Sequence, residues 1–92
     1  VKRTGRDAII RNTLIAVGIS ADQTLLPLVR RHISDAAPIV RAMAVWALAQ
    51  LHGAAGDAKA FARDREKLRP RERDPAVLAE WDRSRDGEAD SQ

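Results

Sequence analysis

The stretch Pro38-Ile-Val-Arg-Ala-Met-Ala-Val-Trp-Ala-Leu-Ala-Gln-Leu51 decides the fold class. Val40, Ala44, Ala47 and Leu51 recur at helical spacing and form one apolar stripe, flanked by Met43 and Leu48. Ser34-Asp35-Ala36-Ala37-Pro38 reads as the loop that opens this helix, with Asp35 or Ala37 at the cap, and His52-Gly53 reads as its end. The uninterrupted apolar run from Ala42 to Ala49 is far too short to span a bilayer. It also lies mid-chain, away from the place of a signal-peptide core.

Upstream, Leu25, Leu26, Leu28, Val29 and Ile33 supply the apolar face of a second helix. Ser20 has the spacing of a cap for it, but Pro27 would then fall deep enough to kink the helix. With Thr24 at the cap, Pro27 falls in the first turn, and the sequence does not choose between the two. Further upstream, Thr4-Gly5-Arg6-Asp7 has the spacing of a capping box. Ile10, Leu14 and Val17 follow on one stripe, and Gly18 reads as the stop.

Downstream, Ala58 to Leu68 predicts a short amphipathic helix centred on Phe61. Residues 69–75, RPRERDP, read as a charged linker broken by proline. Asp74-Pro75 opens a further helix through Ala76, Val77, Ala79, Glu80 and Trp81, and residues 84–92 read as a disordered tail. Asp7…Ile10-Arg11 and Asp35…Val40-Arg41 place an apolar–arginine pair thirty residues apart, a period that points to stacked helix pairs in an α-solenoid.

Composition narrows the function. The 92 residues hold no cysteine, which excludes disulfides, thiolate metal sites and cysteine-ligated iron–sulfur clusters within them. His32 and His52 have no second histidine or cysteine at ligand spacing, so no metal site is expected. No nucleophile–base pair, carboxylate pair or phosphate loop stands out, and this chain alone carries no catalytic centre. The first residue is valine inside a basic segment, and the chain reads as a piece of a longer protein. Absence of cysteine is compatible with a reducing cytoplasm, the expected location. The net charge of +3 hides an asymmetry. Residues 1–56 carry seven bases (Lys2, Arg3, Arg6, Arg11, Arg30, Arg31, Arg41) against three acids (Asp7, Asp22, Asp35). The basic half suits a polyanionic partner.

Lys2, Arg3 and Arg6 stand before or within the first turn of a helix, where the macrodipole disfavours cations. They read either as a phosphate seat at that amino end or as a solvated linker. Arg41 reads as structural, pairing with an aspartate of a neighbouring repeat. Arg11 is similar, with Asp7 four residues earlier on the same helical face. Arg30-Arg31-His32 suits the carbonyl end of a helix, and Trp46 and Trp81 suit packing.

KRTGRDAIIRNTLIAVGIS (residues 2–20) followed by LLPLVRRHISDAAPIVRAMAVWALAQL (residues 25–51) resembles the C-terminal HEAT-like region of bacterial epoxyqueuosine reductases. In that family a K-R-x-G-R-D…R-N segment leads into an L-I-A-[LI]-G-N-S helix end, and a D-x-S-P-x-V-R-x-x-A-x-W-A-L repeat follows. Lys2, Arg3, Gly5, Arg6, Asp7, Arg11 and Asn12 match the first motif; Asp35, Pro38, Val40, Arg41, Ala44, Trp46, Ala47 and Leu48 match the second. Two positions depart, with Ile19 in place of asparagine and Ala21 in place of glycine.

Composition and helical patterning predict an all-α fold, with two stacked helix pairs spanning residues 5–51 within a repeat module over residues 1–56 and a looser helical extension over residues 57–83. The resemblance makes that module a short α-solenoid of HEAT-like helix pairs with a basic amino-terminal segment. It implies a parent enzyme that reduces epoxyqueuosine to queuosine at the tRNA wobble position, using cobalamin and two iron–sulfur clusters held in upstream domains of the same polypeptide. Lys2, Arg3, Arg6 and Arg11 would then hold phosphates of the tRNA anticodon arm, while Asp7, Asp35, Val40, Arg41 and Trp46 would be structural repeat positions. The alternatives are a generic HEAT-like protein-interaction scaffold and a structural cap on an upstream domain. No membrane association is expected.

Overall fold

α3, Pro38–Ala54, is the helix around which the others assemble. Val40, Ala44, Val45, Ala47, Leu48 and Leu51 are all fully buried, a band wider than one stripe, because helices cover α3 on more than one side. The computed structural model describes the backbone of residues 3–90 and the side chains of residues 5–83. Before α3 come α1 (Arg3–Ser20), a 3-10 turn (Gln23–Leu25) and α2 (Leu26–His32). After it come α4 (Ala58–Leu68), a second 3-10 turn (Arg69–Arg71) and α5 (Pro75–Asp90). The described residues contain no strand, and the fold is all-α.

The directions of the helices follow from the residues that meet. Arg6, near the start of α1, reaches Asp35 just ahead of α3, and Gly18 near the end of α1 meets Trp46. These two helices therefore run the same way. Arg41 in the first turn of α3 reaches Glu72 just ahead of α5, which sets α5 in the same direction again. Gln23, before α2, donates to the carbonyl of Leu51 late in α3 at 2.7 Å, so α2 is antiparallel to α3. α4 turns back in the same way, with His52 at one end of α3 bonded to Asp64 and Leu68 beside Val45. α2 and α4 thus run against α1, α3 and α5, and α3 packs chiefly on α1 and α5. Residues 5–51 hold three helices rather than two pairs, and α4 and α5 lie beyond Gly56. The core crosses that point, since Phe61, Val77 and Trp81 are buried with the residues of α3.

Several local signals resolve differently from their sequence reading. α1 is already helical at Arg3, so Thr4 is not its cap, and the Asp7 carboxylate accepts from Arg6 instead (2.8 Å). Gly18 does not stop α1. A methyl at this position would overlap the ring of Trp46, so the glycine serves close approach of α1 to α3. Neither Ser20 nor Thr24 caps the next element. Asp22 does, accepting from the Thr24 amide at 3.0 Å and its hydroxyl at 2.6 Å, and the short turn that follows leaves Pro27 in the first turn of α2. At α3 both candidates take part, because Ala37 occupies the cap position while the Asp35 side chain accepts from its amide (2.9 Å). α3 runs past His52-Gly53 to Ala54. It closes with Gly56 at φ +69°, the Gly56 amide on Gly53 and the Asp57 amide on His52, a Schellman end that needs glycine. The limits of α4 are those read from sequence, with Asp57 as cap, and Asp74 caps α5 through the amides of Ala76 and Val77. The expected tail, residues 84–92, has its side chains outside the described residues, and its last two residues lie outside them altogether.

Ala21 follows α1 at φ +58°, the left-handed region that an alanine enters only at a cost of about 1 kcal/mol. Ala21→Gly is expected to raise stability by about 0.5–1 kcal/mol despite the looser unfolded chain, read as a higher midpoint in urea unfolding at unchanged slope.

Candidate functional site

The amino ends of α1, α3 and α5 lie side by side along one edge, and the residues singled out in the sequence meet there. Arg6 grips Asp35 through both terminal nitrogens; the shorter bond is 2.6 Å. Asp35 also holds the start of α3 through the Ala37 amide, and its own carbonyl accepts from Arg41 Nη1 at 2.9 Å. Arg41 takes the Ala36 carbonyl as well, then closes two bonds on Glu72, from Nε at 2.9 Å and Nη2 at 3.0 Å. Glu72 in turn accepts from the amides of Arg73 and Asp74, which shapes the entry into α5. An arginine-to-acid link therefore recurs along the edge, Arg6 to Asp35 and then Arg41 to Glu72, at separations of 29 and 31 residues.

The electrostatics follow from these bonds. The Arg6 guanidinium holds the Asp35 carboxyl below its usual range, against a smaller upward push from burial. Burial pushes the Glu72 carboxyl up, but the bonds from Arg41 and from the Asp74 and Arg73 amides outweigh it and leave it below its ordinary value.

Of the candidates for holding phosphate, Lys2 lies outside the described residues, and the side chain of Arg3 is likewise undescribed. Arg6 is exposed but committed to Asp35 and Asp7. Arg11 is half-buried; its Nη2 donates to Asn12 at 3.3 Å, and Asp7 takes Arg6 rather than Arg11 as partner. Val40 is a core residue, and Trp46 packs on α1 at Gly18. Arg41 pairs with the Glu72 carboxylate, where the sequence reading expected an aspartate.

Two residues that sequence reading passed over complete the edge. Arg71 and Arg73 are exposed and have no carboxylate partner among the described residues, while the neighbouring acids Asp35 and Glu72 are already taken. They sit in the segment read as a linker. The available signal was the 30-residue period, which carried from Asp35 falls seven residues short of Glu72 but, carried from Arg41, falls on Arg71, one residue before it.

A second polar cluster joins α2, α3 and α4 at the carboxyl end of α3. His52, 5 % exposed, bonds Asp64 through Nε2 at 2.9 Å, and the other carboxylate oxygen of Asp64 accepts from Arg30 at 2.9 Å. Burial pushes the Asp64 carboxyl up, and these two bonds bring it below its ordinary value. On α5, Asp82 is clasped by Arg69 and Arg65, which bring its carboxyl to about 2. Among the described residues no group of three or more histidine, cysteine, aspartate or glutamate side chains converges as metal ligands would, and no helix is long and apolar enough to cross a membrane. Scans against protein-family models, curated proteins and solved structures each return no match to this chain.

Proposed function

We propose that the chain is a HEAT-like repeat module that holds a tRNA by its phosphate backbone, and that the protein it serves is an epoxyqueuosine reductase of the cytoplasm. The observation that carries the binding reading is a pair of exposed arginines, Arg71 and Arg73, on the edge where α1, α3 and α5 begin, beside an Asp74 whose carboxylate is turned to the first amides of α5. Arg6 and Arg41 consume the acids Asp35 and Glu72, and Arg71 and Arg73 remain without an ion-pair partner among the described residues. Phosphates could then align along three neighbouring helix amino ends, with Lys2 and Arg3 a few residues upstream. The recurring arginine–acid link supports the repeat reading, since each link joins successive parallel helices. Arg6–Asp35–Arg41 also joins the two segments that carry the family resemblance. Cobalamin and the iron–sulfur clusters of that family belong, on this reading, to domains upstream of these residues, and reduction itself to those domains.

The test is the salt dependence of tRNA binding. The logarithm of the association constant is expected to fall linearly with the logarithm of salt concentration. Substituting Arg71 and Arg73 with glutamine is expected to lower the slope by about 0.7–0.9 for each phosphate no longer neutralised, about equally for tRNAs of different sequence. Superimposed lines for variant and wild type would reject the edge. A protein-scaffold reading rests on Ile9 and Ile19, which are 64 % and 73 % exposed on the outer face of α1. It requires partner binding that salt barely changes.

A further inference from the structure

Beneath Arg71 and Arg73 lies a cleft of about 320 Å³ where the ends of α2 and α4 meet α3 and α5. The apolar surface it offers belongs to Ile33 and Leu68, which are partly exposed; Val45 and Trp81 also line it but are fully buried. Its mouth is polar and exposed, formed by Ser34, Arg71 and Arg73. The acids in its wall, Asp35 and Glu72, are bonded to Arg6 and Arg41, so they neither repel an anion strongly nor satisfy the arginines at the mouth.

We infer that this cleft takes a nucleoside 5′-monophosphate unit, its base against the partly exposed Ile33 and Leu68, next to the buried Trp81, and its phosphate on Arg71 and Arg73. The size falls at the lower end of the range for small-ligand clefts, about 300–1,000 Å³, which suits one nucleotide and not a dinucleotide or an extended cofactor. A neutral ligand would leave two guanidinium groups without a counter-charge, and an inorganic anion would leave the apolar surface without a role. A compact anion with a flat apolar body uses both. The unit can come from a free nucleotide or from an unstacked nucleotide of an RNA strand, where splayed bases are the usual targets of recognition. This inference rests on the polyanion reading of the same edge, and its test separates the two.

The experiment follows the two tryptophan indole N–H signals of the ¹⁵N-labelled 92-residue chain by NMR. Trp81 reports on the cleft, and Trp46, which packs against Gly18, reports on a place outside it. Adenosine 5′-monophosphate is expected to move the Trp81 signal in a saturable way and leave Trp46 in place. In an Arg71→Gln/Arg73→Gln variant its affinity is expected to fall about tenfold or more, since charge-assisted bonds are removed. Arg63→Gln, at an exposed arginine on α4, should bind as wild type. A pentaribonucleotide that moves the same signal and displaces the monophosphate identifies RNA as the source; binding of the monophosphate alone identifies the free nucleotide.

An unmoved Trp81 signal overturns the inference, as does an equal response to inorganic phosphate at the same concentration or undiminished binding by the double variant. If tRNA binds with a steep salt slope while Trp81 stays unmoved, the cleft assignment fails and the edge reading survives. If the monophosphate binds and tRNA does not, the cleft stands and the edge reading falls.

Discussion

Replacing Trp81 with alanine is expected to remove about 4 kcal/mol of folding stability and to lower Tm by about 15–30 °C. The side chain is 1 % exposed and is the largest of those fully buried. Its ring lies 5.5 Å from that of Phe61 at a tilt of 36°, a pairing that adds to the area it buries. It stands where α5 closes on α3 and α4, so its removal opens a void between three helices rather than at one surface. A domain of this size holds about 5–15 kcal/mol in total, and the substitution takes a large share of it. Thermal unfolding followed by circular dichroism measures the effect. A drop of only a few degrees would mean that α5 is a separable extension; the expected drop makes α4–α5 part of the same cooperative unit as α1–α3.

The helical fold was legible because its signals are local. The stripe on α3, the limits of α4 and the start of α5 at Asp74 are each set within a few residues, and each is found where the sequence places it. What escaped depends on partners far along the chain. Gly18 looks like a stop when only its neighbours are read, yet what requires it is Trp46, 28 positions later, whose ring leaves no room for a methyl. Asp22 lost to Ser20 and Thr24 as a cap because the 3-10 turn that makes it work is not visible in a helical period. The candidate site divides in the same way. Arg6, Asp35 and Arg41 were singled out by motif and do converge on one edge. Their bonds to carboxylates and carbonyls determine whether they are available to a ligand, and apart from Arg6–Asp7 these span 5 to 31 residues of chain. Glu72, Arg71 and Arg73 went unnoticed because a run of alternating charge and proline has the composition of a solvated linker. Only the position of α3 beside it gives that run a partner. Ala21 is a different case: nothing in its neighbours marks the left-handed φ that an alanine adopts there at a cost.

Arg41→Ala is expected to lower stability by about 2 kcal/mol at neutral pH, with a Tm drop of about 8–16 °C. The guanidinium satisfies two carbonyls at the entry to α3 and both oxygens of Glu72, whose side chain is 9 % exposed. Alanine leaves that carboxylate covered with only backbone amides to hold its charge, and the penalty lies more in the stranded anion than in the missing attraction. The sign with pH follows. In the wild type Glu72 is held below its ordinary value of 4.5, so its ionised form stabilises the fold above that pH, and the contribution is lost as pH falls through the folded value. Without Arg41 the upward push of burial has less to oppose it and the carboxyl protonates at higher pH. The gap between wild type and variant should therefore be widest at pH 7 and narrower at pH 3, since protonating Glu72 in the wild type removes the bonded anion and with it the advantage over the variant. Lysine at position 41 should recover only part of the deficit, because one ammonium cannot reproduce the two parallel bonds to the carboxylate. Glu72→Gln placed on Arg41→Ala should recover another part by removing the charge. Urea unfolding of the four proteins at both pH values gives each difference directly. If Arg41→Ala is as stable as wild type at pH 7, the link to Glu72 is not what holds α5 against α3, and the Arg41 guanidinium joins Arg71 and Arg73 as a group available to phosphate.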